Sequence, residues 1–381
     1  MQVYEQVENY MKLIGLKYIK NANDFVAGLA YRTDRAYAKE MAEELNSRAE
    51  GAPHDNTGFY ELKNRTLDGS LYVSAAFDGG VFRHIGNIIM DEKELFCGDV
   101  LDLCCDCGIV TCFMAQTYPE TNFVGVDINE SAVNNARELA KRLGITNAEF
   151  ICADVYEMEL NKRFALVTSF RSLLDAAEAQ TKGLNFIGYR PEREETYKKA
   201  FAPFALAVDK HLDEDGSVLS VERYTAEYGW LGWMQALEEK GIYAQEKGGL
   251  MRAQDLSSVK EYSVTFAKRG EKTDSLEVFN SLLSKDFKSG TGYDGGMAEF
   301  ALYYDSVGEI EFCDVLKNGR MIHQFAFAEN EKGKGIYYDA SNNDRKIKYF
   351  NMKKEEKMRK DFEDKLALYD TEIYEIKRYK K

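Results

Sequence analysis

The sequence predicts a doubly wound α/β region around a mostly parallel sheet, preceded by helices and followed by an antiparallel α+β region. Three observations support this order. Apolar residues recur at helical spacing through residues 1–50, short apolar runs alternate with helical patterns over 97–270, and apolar–polar alternation begins near Ile310. Strands that alternate with helices form parallel sheets, whereas the short Asn318-Gly319 link is typical of an antiparallel hairpin.

The central region is predicted to contain six strands and four helices. The strands are 99–103, 122–127, 148–153, 164–169, 216–222 and 261–268, and the helices are 109–118, 130–143, 194–212 and 229–240. Several of these strands are nearly continuous in apolar residues, which is typical of strands that are buried on both faces.

The flanking regions are less regular in pattern. Between residues 51 and 95 we predict irregular structure with a strand-like piece at 70–74 and a turn at 78–80. The later predicted elements are a helix at 274–284, a flexible glycine-rich connector at 289–296, a strand at 321–328, a helix at 352–368 and a strand at 372–378.

Composition narrows the class of protein. The 381 residues carry a formal net charge of −14, which disfavours binding along a nucleic-acid backbone. No apolar run approaches the roughly 18–20 residues of a membrane-spanning helix. The first residues lack the basic and apolar regions of a signal peptide. We therefore expect a cytoplasmic protein with neither a membrane nor a nucleic-acid partner.

Four of the seven cysteines crowd one short stretch: Cys104, Cys105, Cys107 and Cys112. A metal site is one interpretation, but none of the four histidines lies nearby. The other interpretation is that these residues are small apolar filler in a turn and a helix. We predict no metal site.

Acidic residues stand at the ends of three successive predicted strands: Asp102, Asp127 and Asp154. Ligands of open α/β sheets bind beyond the carboxyl ends of the strands, and helix N-termini point their N–H groups there. A carboxylate at Asp127 can accept hydrogen bonds from the two hydroxyls of a ribose, and one at Asp154 from an exocyclic amine such as that of adenine. An alternative is that Asp102 and Asp127 cap the helices that follow them.

These features resemble the class I S-adenosylmethionine-dependent methyltransferases. Their first motif reads roughly V-L-D-x-G-x-G-x-G and is matched by residues 100–108, while 211–220 resemble the turn and strand later in the family. The resemblance covers about 97–270. It implies a seven-stranded sheet of the class I type, S-adenosylmethionine as cofactor, and methyl transfer to an O, N or C atom. The cofactor-binding residues it implies are Asp102, Cys104, Asp106, Gly108, Asp127, Ile128, Asp154, Val155 and Ser169.

The first motif departs from the family because Cys104 and Asp106 replace two of its three glycines and only Gly108 remains. Glycine suits such a turn because it adopts positive φ without strain, and Asp is among the few other residues that tolerate this region. Asp106 can also accept a hydrogen bond from the α-ammonium group of the cofactor. The departure keeps open an alternative function, a catalytically degenerate binding module that acts through protein recognition. A nicotinamide site is disfavoured because G-x-G-x-x-G is absent.

A hydroxyl acceptor would need a general base. The catalytic candidates are His84, Asp175, Glu222 and Tyr224. We expect a small-molecule acceptor that is aromatic or anionic. Arg190 and Arg193 suit an anion unless they pair with neighbouring glutamates, and Trp230 and Trp233 suit a planar group unless their helical spacing places them in the core. The N/D-P-P-Y/F signature of base methylation is absent after the fourth strand.

Three domains follow from this interpretation. Residues 1–95 form a mainly helical cap that covers the substrate, 96–270 bind S-adenosylmethionine, and 271–381 form an antiparallel meander with a basic helix for recognition or dimerisation. Residues 345–381 carry 13 Lys and Arg against 8 Asp and Glu, which favours docking on an acidic surface, that of a second subunit included. The alternative is an amphipathic helix that faces a sheet through Met358, Phe362, Leu366 and Tyr369.

Overall fold

The chain divides into two compact units, and each unit is built from several segments of sequence. The computed structural model describes residues 3–49, 56–177, 193–223, 227–256, 258–318, 320–341, 344–369 and 373–380. The first unit comprises 1–178, 202–223 and 237–272, and the second comprises 179–201, 224–236 and 273–381. The division into three domains stays a prediction.

A seven-stranded sheet forms the centre of the first unit. Its strands are β1 Val100–Leu103, β2 Phe123–Asp127, β3 Ala148–Cys152, β4 Phe164–Phe170, β5 Leu212–Arg223, β6 Ile242–Gln254 and β7 Val259–Arg269. They lie in the order β3-β2-β1-β4-β5-β7-β6. The first five are parallel, and β7 is antiparallel to both β5 and β6. The predicted fold class is therefore confirmed.

Helices precede this sheet and alternate with its strands. They are α1 Glu5–Ile14, α2 Ala22–Arg32, α3 Arg35–Ala49, α4 Asn56–Lys63, α5 Leu67–Phe77, α6 Gly79–Asp91, α7 Ile109–Thr117, α8 Glu130–Leu143, α9 Leu173–Ala176 and α10 Arg193–His211. Side-chain oxygens of Asn21, Thr66 and Asn129 cap α2, α5 and α8. Among the helices of the described ranges, none has the length and apolar character needed to cross a bilayer.

The prediction of irregular structure with a strand at 70–74 is wrong. These residues lie inside α5, where every side chain from Leu67 to Ala76 except Asp68 is buried. A helix that is buried on nearly all sides shows no helical period, so its sequence resembles that of a buried strand. At the turn predicted for 78–80, Asp78 alone separates α5 from α6.

The N-terminal helices share one hydrophobic core with the sheet. Tyr10 of α1 illustrates the connection. Its ring lies 5.7 Å from that of Phe82 on α6 and 5.2 Å from that of Phe113 on α7, measured between centroids. Its buried hydroxyl donates a hydrogen bond of 2.7 Å to the carbonyl oxygen of Ile109. The contact therefore ties α1 to the first turn of the helix that follows β1.

Replacing this buried hydroxyl should lower the stability of the first unit. We expect Tyr10→Phe to reduce the free energy of unfolding by about 1–2 kcal/mol, because the Ile109 carbonyl loses a partner in the core. Tyr18→Phe is the matched control, since Tyr18 is 77% exposed. Urea unfolding followed by circular dichroism measures both variants, and equal stabilities would show that the Tyr10 hydrogen bond contributes nothing.

In its described residues the second unit contains an antiparallel sheet and several helices. Its strands are β8 Tyr293–Asp294, β9 Ser306–Lys317, β10 Arg320–Asn330, β11 Lys334–Ser341, β12 Arg345–Asn351 and β13 Ile373–Lys380, in the order β13-β9-β10-β11-β12-β8. The helices are α11 Glu227–Glu238, α12 Ser275–Ser284, α13 Gly296–Asp305 and α14 Glu355–Leu366. Lys317 pairs with Arg320, so a two-residue link joins β9 to β10 as predicted. Gly319, half of that link, lies outside the described residues.

The C-terminal helix α14 covers one face of this sheet. Met358, Phe362, Leu366 and Tyr369 pack against an apolar cluster that includes Phe325 of β10. The amphipathic alternative is therefore confirmed for these four side chains. The connector predicted at 289–296 is partly structured, since it contains β8 and the first residue of α13. Gly295 has φ 68°, a left-handed conformation that favours glycine and turns the chain into α13.

Candidate functional site at the carboxyl edge of the parallel sheet

Four predicted site residues meet at one edge of the parallel sheet. Leu103, the last residue of β1, lies opposite Val126 on one side and Ser169 on the other. Asp127 ends the neighbouring β2 opposite Cys152 of β3. Asp102, Asp127 and Ser169 therefore lie on adjacent strands, with Asp154 two residues beyond β3. The α/β architecture places ligands at this edge.

The loop after β1 is left-handed at every position where the family motif has glycine. Cys104 has φ 55°, Asp106 has φ 48° and Gly108 has φ 75°. For residues other than glycine this conformation costs about 1–2 kcal/mol each. Only Gly108 is required on steric grounds as well, because a Cβ there would lie 2.8 Å from the Cβ of Ala136. The loop therefore has the left-handed backbone of the three-glycine motif, although Cys104 and Asp106 occupy two of its three glycine positions.

Three hydrogen bonds hold Asp106 in place. Its carboxylate accepts hydrogen bonds from the Lys63 ammonium at 2.5 Å and the Asn64 amide at 2.8 Å, at the end of α4. Its backbone N–H donates to Asp127 Oδ2 at 2.9 Å. Lys63 is only 5% exposed and also lies 3.7 Å from Asp78. Burial alone would lower the pKa of Lys63, but the Asp106 carboxylate raises it above its usual value.

Asp127 ends β2 with unused acceptor capacity. Its Oδ2 accepts from the N–H of Asp106 and its Oδ1 accepts from the N–H of Asn129, each at 2.9 Å. Each oxygen keeps a second lone pair for a ligand. Burial, with a contribution from Asp106, raises the pKa of Asp127 to about 6. The suggestion that Asp127 caps the next helix is wrong, because Asn129 caps α8.

Ile128 follows Asp127 and is 69% exposed. Isoleucine is among the residues most often found fully buried, so an apolar side chain left open beside a carboxylate is a candidate ligand contact. Asp154 is half-buried, and its Oδ1 accepts a hydrogen bond from the N–H of Tyr156. Val155 beside it is buried.

Asp102 is buried behind the loop. Its two oxygens accept hydrogen bonds from the hydroxyls of Thr111 on α7, at 2.5 Å, and of Thr168 on β4, at 2.9 Å. Burial raises the pKa of Asp102 to about 6, despite these two hydrogen bonds. Asp102 therefore fixes the start of α7 relative to β1 and β4 through side chains.

Glu222, near the end of β5, forms a buried cluster with Ser169. The Ser169 hydroxyl lies 2.5 Å from Glu222 Oε1, and the N–H of Leu173 donates to Oε2 at 3.0 Å. Ser172 completes the cluster with a hydroxyl 2.8 Å from that of Ser169. Burial raises the pKa of Glu222 to about 7, which is close to neutral pH.

Of the other catalytic candidates, Asp175 and His84 lie outside the cluster that Glu222 forms with Ser169 and Ser172. Asp175 on α9 accepts a hydrogen bond from the Tyr60 hydroxyl at 2.6 Å and forms an ion pair with Arg223. His84 lies on α6, which packs against α1, α7 and β6, and burial lowers the pKa of its ring. Tyr224 lies outside the described residues.

The structure describes only part of the set considered for binding an acceptor. Trp230 and Trp233 are 3% and 1% exposed, so they belong to a core, as their helical spacing indicates. Arg190 lies outside the described residues, and so does the side chain of Arg193. Two other arginines stand at strand ends: Arg171 directly follows β4 and pairs with Asp78, and Arg223 is the last residue of β5 and pairs with Asp175.

The four clustered cysteines are buried or half-buried, and burial raises the pKa of each thiol. Metal sites use thiolates, whose formation this environment opposes. In the part of the chain that the structure describes, no three His, Cys, Asp or Glu side chains form a group that could hold a metal ion.

Sequence reasoning missed Lys63 and Asn64. They lie more than 40 residues from Asp106, in a stretch without a motif, and no local pattern connects them to the loop. Arg171 and Arg223 carried a weak signal, because Arg223 directly follows the predicted strand 216–222 and Arg171 lies two residues beyond the predicted strand 164–169.

The strand order and the left-handed loop after β1 agree with what the resemblance to class I S-adenosylmethionine-dependent methyltransferases implies. Residues 100–185 match a family model described as a methyltransferase domain. The match confirms the resemblance predicted from the sequence, on which the prediction of S-adenosylmethionine as cofactor also depends.

Individual relatives resemble only part of this chain. A tRNA (guanine-N(7)-)-methyltransferase of Rubrobacter xylanophilus is 40% identical over 73 residues, 18% of this chain and 32% of its own length. A malonyl-[acyl-carrier protein] O-methyltransferase of Acetivibrio thermocellus is 34% identical over 92 residues, 23% of this chain and 31% of its own. The chain thus spans about a third of the length of these curated relatives. The solved N-methyltransferase NodS of Bradyrhizobium japonicum is 14% identical, with a TM-score of 0.40 over 57% of this chain and all of that one.

Removing the Lys63 ammonium should destabilise the loop. We expect Lys63→Met to lower the free energy of unfolding by about 2–3 kcal/mol, because the Asp106 carboxylate loses its buried cation. Lys39→Met is the matched control, since Lys39 pairs with Glu43 while both side chains are exposed, and such pairs contribute well under about 1 kcal/mol. Urea unfolding compares the two, and equal losses would show that the Lys63 pair is no stronger than a surface pair.

The raised pKa of Glu222 predicts a stability that depends on pH. Between the usual carboxyl pKa of 4.5 and about 7, the folded protein holds a proton on Glu222 that the unfolded chain has released. The contribution of Glu222 to the unfolding free energy is therefore complete at low pH and is lost as pH rises through 7.

We expect Glu222→Gln to gain stability relative to the unmodified protein between about pH 5 and pH 8, because glutamine does not titrate. Comparing the two proteins cancels the titration of Asp102 and Asp127. Urea unfolding at several pH values provides the measurement. A difference between the proteins that stays constant with pH would contradict the assignment.

Proposed function

We propose that this protein is an S-adenosylmethionine-dependent methyltransferase that acts on a small-molecule acceptor. The observation that carries the proposal is the loop after β1, left-handed at three alternate residues and bonded to the carboxylate that ends β2. The family match over residues 100–185 supports the same activity and cofactor.

The site residues fit this cofactor in chemical type. Asp127 offers lone pairs to the ribose hydroxyls, Ile128 offers apolar surface to adenine, and Asp154 accepts from its exocyclic amine. The remaining predicted cofactor contacts are Asp102, Cys104, Asp106, Gly108, Val155 and Ser169. S-adenosylmethionine, when bound, supplies an electrophilic methyl group on a positively charged sulfur, and the acidic edge of the sheet complements that charge. In an in-line displacement the protein chiefly aligns the acceptor.

Glu222 is the strongest candidate for a general base. A base works best when its pKa lies near the working pH, and burial raises that of Glu222 to about 7. The Ser169 hydroxyl and the Leu173 N–H hold its two oxygens in place. Asp175 is less suited, because Arg223 and Tyr60 already engage its carboxylate.

We infer the class of acceptor from the charge and fold of this chain, because the relatives named above act on different kinds of acceptor. A net charge of −14 disfavours an extended polyanion such as tRNA. The helices that precede β1 pack in one core with the sheet, which suits a small acceptor enclosed under a cap. The alternative function, a binding module without turnover, is favoured only by the two replaced glycines.

Cofactor binding provides the direct test of the proposal. We expect calorimetry to show saturable binding of S-adenosylhomocysteine and none of NAD. Asp127→Ala should weaken that binding at least about tenfold, the equivalent of one or two hydrogen bonds to a charged group. Asp99→Ala is the matched control, since Asp99 lies just before β1 and pairs with Lys162.

Absence of S-adenosylhomocysteine binding in the unmodified protein would overturn the proposed cofactor. An unchanged affinity in Asp127→Ala would remove Asp127 from the site. Automethylation or cofactor hydrolysis above the rate in buffer separates an enzyme from the degenerate module, which should show neither.

A further inference from the structure

The second unit contains a polar pocket that the proposed methyl transfer does not use. Its volume is about 320 Å³, and strands β10, β11 and β12 line it together with Lys365 of α14. The strand register explains how the lining residues meet. Asp339 lies opposite Lys346, Tyr337 lies opposite Lys348, and alternate residues share a face of the sheet.

Positive charge exceeds negative charge in the pocket. Three lysines and two aspartates line it. Lys365 pairs with Asp339, and Lys346 pairs with Asp344. Lys348 forms no ion pair with any described residue, and its side chain is exposed to solvent. One cation is therefore available to a ligand without disrupting a pair.

The remaining polar groups are held in fixed orientations. His323 Nε2 lies 2.6 Å from Asp339 Oδ1, and its Nδ1 lies 2.7 Å from the Tyr369 hydroxyl. Burial raises the pKa of Asp339, but hydrogen bonds from His323 and Lys365 lower it to about 2 overall. The ionised carboxylate only accepts, so His323 must donate through Nε2. Both ring nitrogens are thus engaged within the protein.

Tyr337 supplies a buried hydroxyl next to Asp339. Its side chain is 3% exposed, and the hydroxyl faces Asp339 without meeting hydrogen-bond geometry to any described residue. A buried hydroxyl that lacks a well-formed hydrogen bond is stabilised when a bound ligand supplies a better-placed acceptor atom. Its ring meanwhile packs against Phe325 and Phe327 and is held in place.

We propose that this pocket is a second ligand site, which binds a small molecule through an anionic group, a carboxylate or a phosphate. Lys348 supplies the attracting charge, Lys346 and Lys365 add positive potential, and the Tyr337 hydroxyl donates to an acceptor atom of the ligand. The volume lies at the lower end of the range for small-molecule pockets, which favours a compact metabolite over a polymer.

The test is titration of the full chain with inorganic phosphate and, separately, with citrate, followed by calorimetry. We expect saturable binding of one of these anions or of both, and the anion that binds distinguishes a phosphate from a carboxylate site. Lys348→Met should weaken that binding roughly tenfold or more, as loss of a charge-assisted contact would. Lys360→Met, which removes the same charge from the exposed face of α14, should leave it unchanged.

Tyr337→Phe gives a second, independent variant because it removes the hydroxyl and keeps the ring. It should weaken binding severalfold while circular dichroism and the unfolding midpoint stay near those of the unmodified protein. The proposal is overturned if neither anion binds saturably, or if Lys348→Met and Lys360→Met lose affinity equally. Neither result bears on cofactor binding in the first unit, which the Asp127 experiment measures separately.

Discussion

The contact between Asp106 and the end of α4 is the interaction on which the candidate cofactor site depends. The turn after β1 holds two residues other than glycine in the left-handed region, a conformation that is unfavourable by itself. A buried ammonium, an amide and a strand-end carboxylate hold the second of them in place. A glycine at that position would adopt the turn without help but would not connect the loop to the N-terminal helices. Here loop shape and helix position are set by one network.

The same edge of the sheet concentrates ionisable groups in an apolar setting. Asp102, Asp127 and Glu222 are each easier to protonate than in water because burial disfavours the charged form. The nearby cations Arg171 and Arg223 are committed to other carboxylates. A cationic ligand would therefore meet partly uncompensated acids and would stabilise the fold that binds it. Binding and folding at this edge are linked through charge.

The sequence was most informative where structure is local. Short apolar strands, side-chain caps such as Asn129, and acids at strand ends can be recognised within a few residues. Because the carboxyl ends of parallel strands lie at the same edge of a sheet, the sequence alone predicts that Asp102, Asp127 and Asp154 lie at one edge. The helix over Leu67–Phe77 was misjudged because burial on nearly all sides erased its period.

Long-range side-chain pairs could not be predicted in the same way. Lys63 meets Asp106 only because α4 folds back over the loop, and nothing within α4 itself indicates that partner. In the second unit, β11, β12 and α13 escaped prediction. The sequence of β11 contains two adjacent tyrosines, that of β12 is rich in lysine, and α13 begins at a glycine. β11 pairs with its sequence neighbours β10 and β12, whereas β12 also pairs with β8, more than 50 residues earlier in the chain.

The interleaving of the two units has a consequence for how the chain can be made and divided. Trp230 belongs to the second unit but lies in sequence between β5 and β6 of the first unit. Its ring contacts that of Phe279, about fifty residues later in the chain. Residues 224–236 belong to the core of the second unit but are synthesised before residues 273–381. That core therefore cannot form until the later residues have been synthesised. No single cleavage of the polypeptide releases both units whole. A cut after residue 272, for example, would leave Trp230 on one fragment and its ring partner Phe279 on the other.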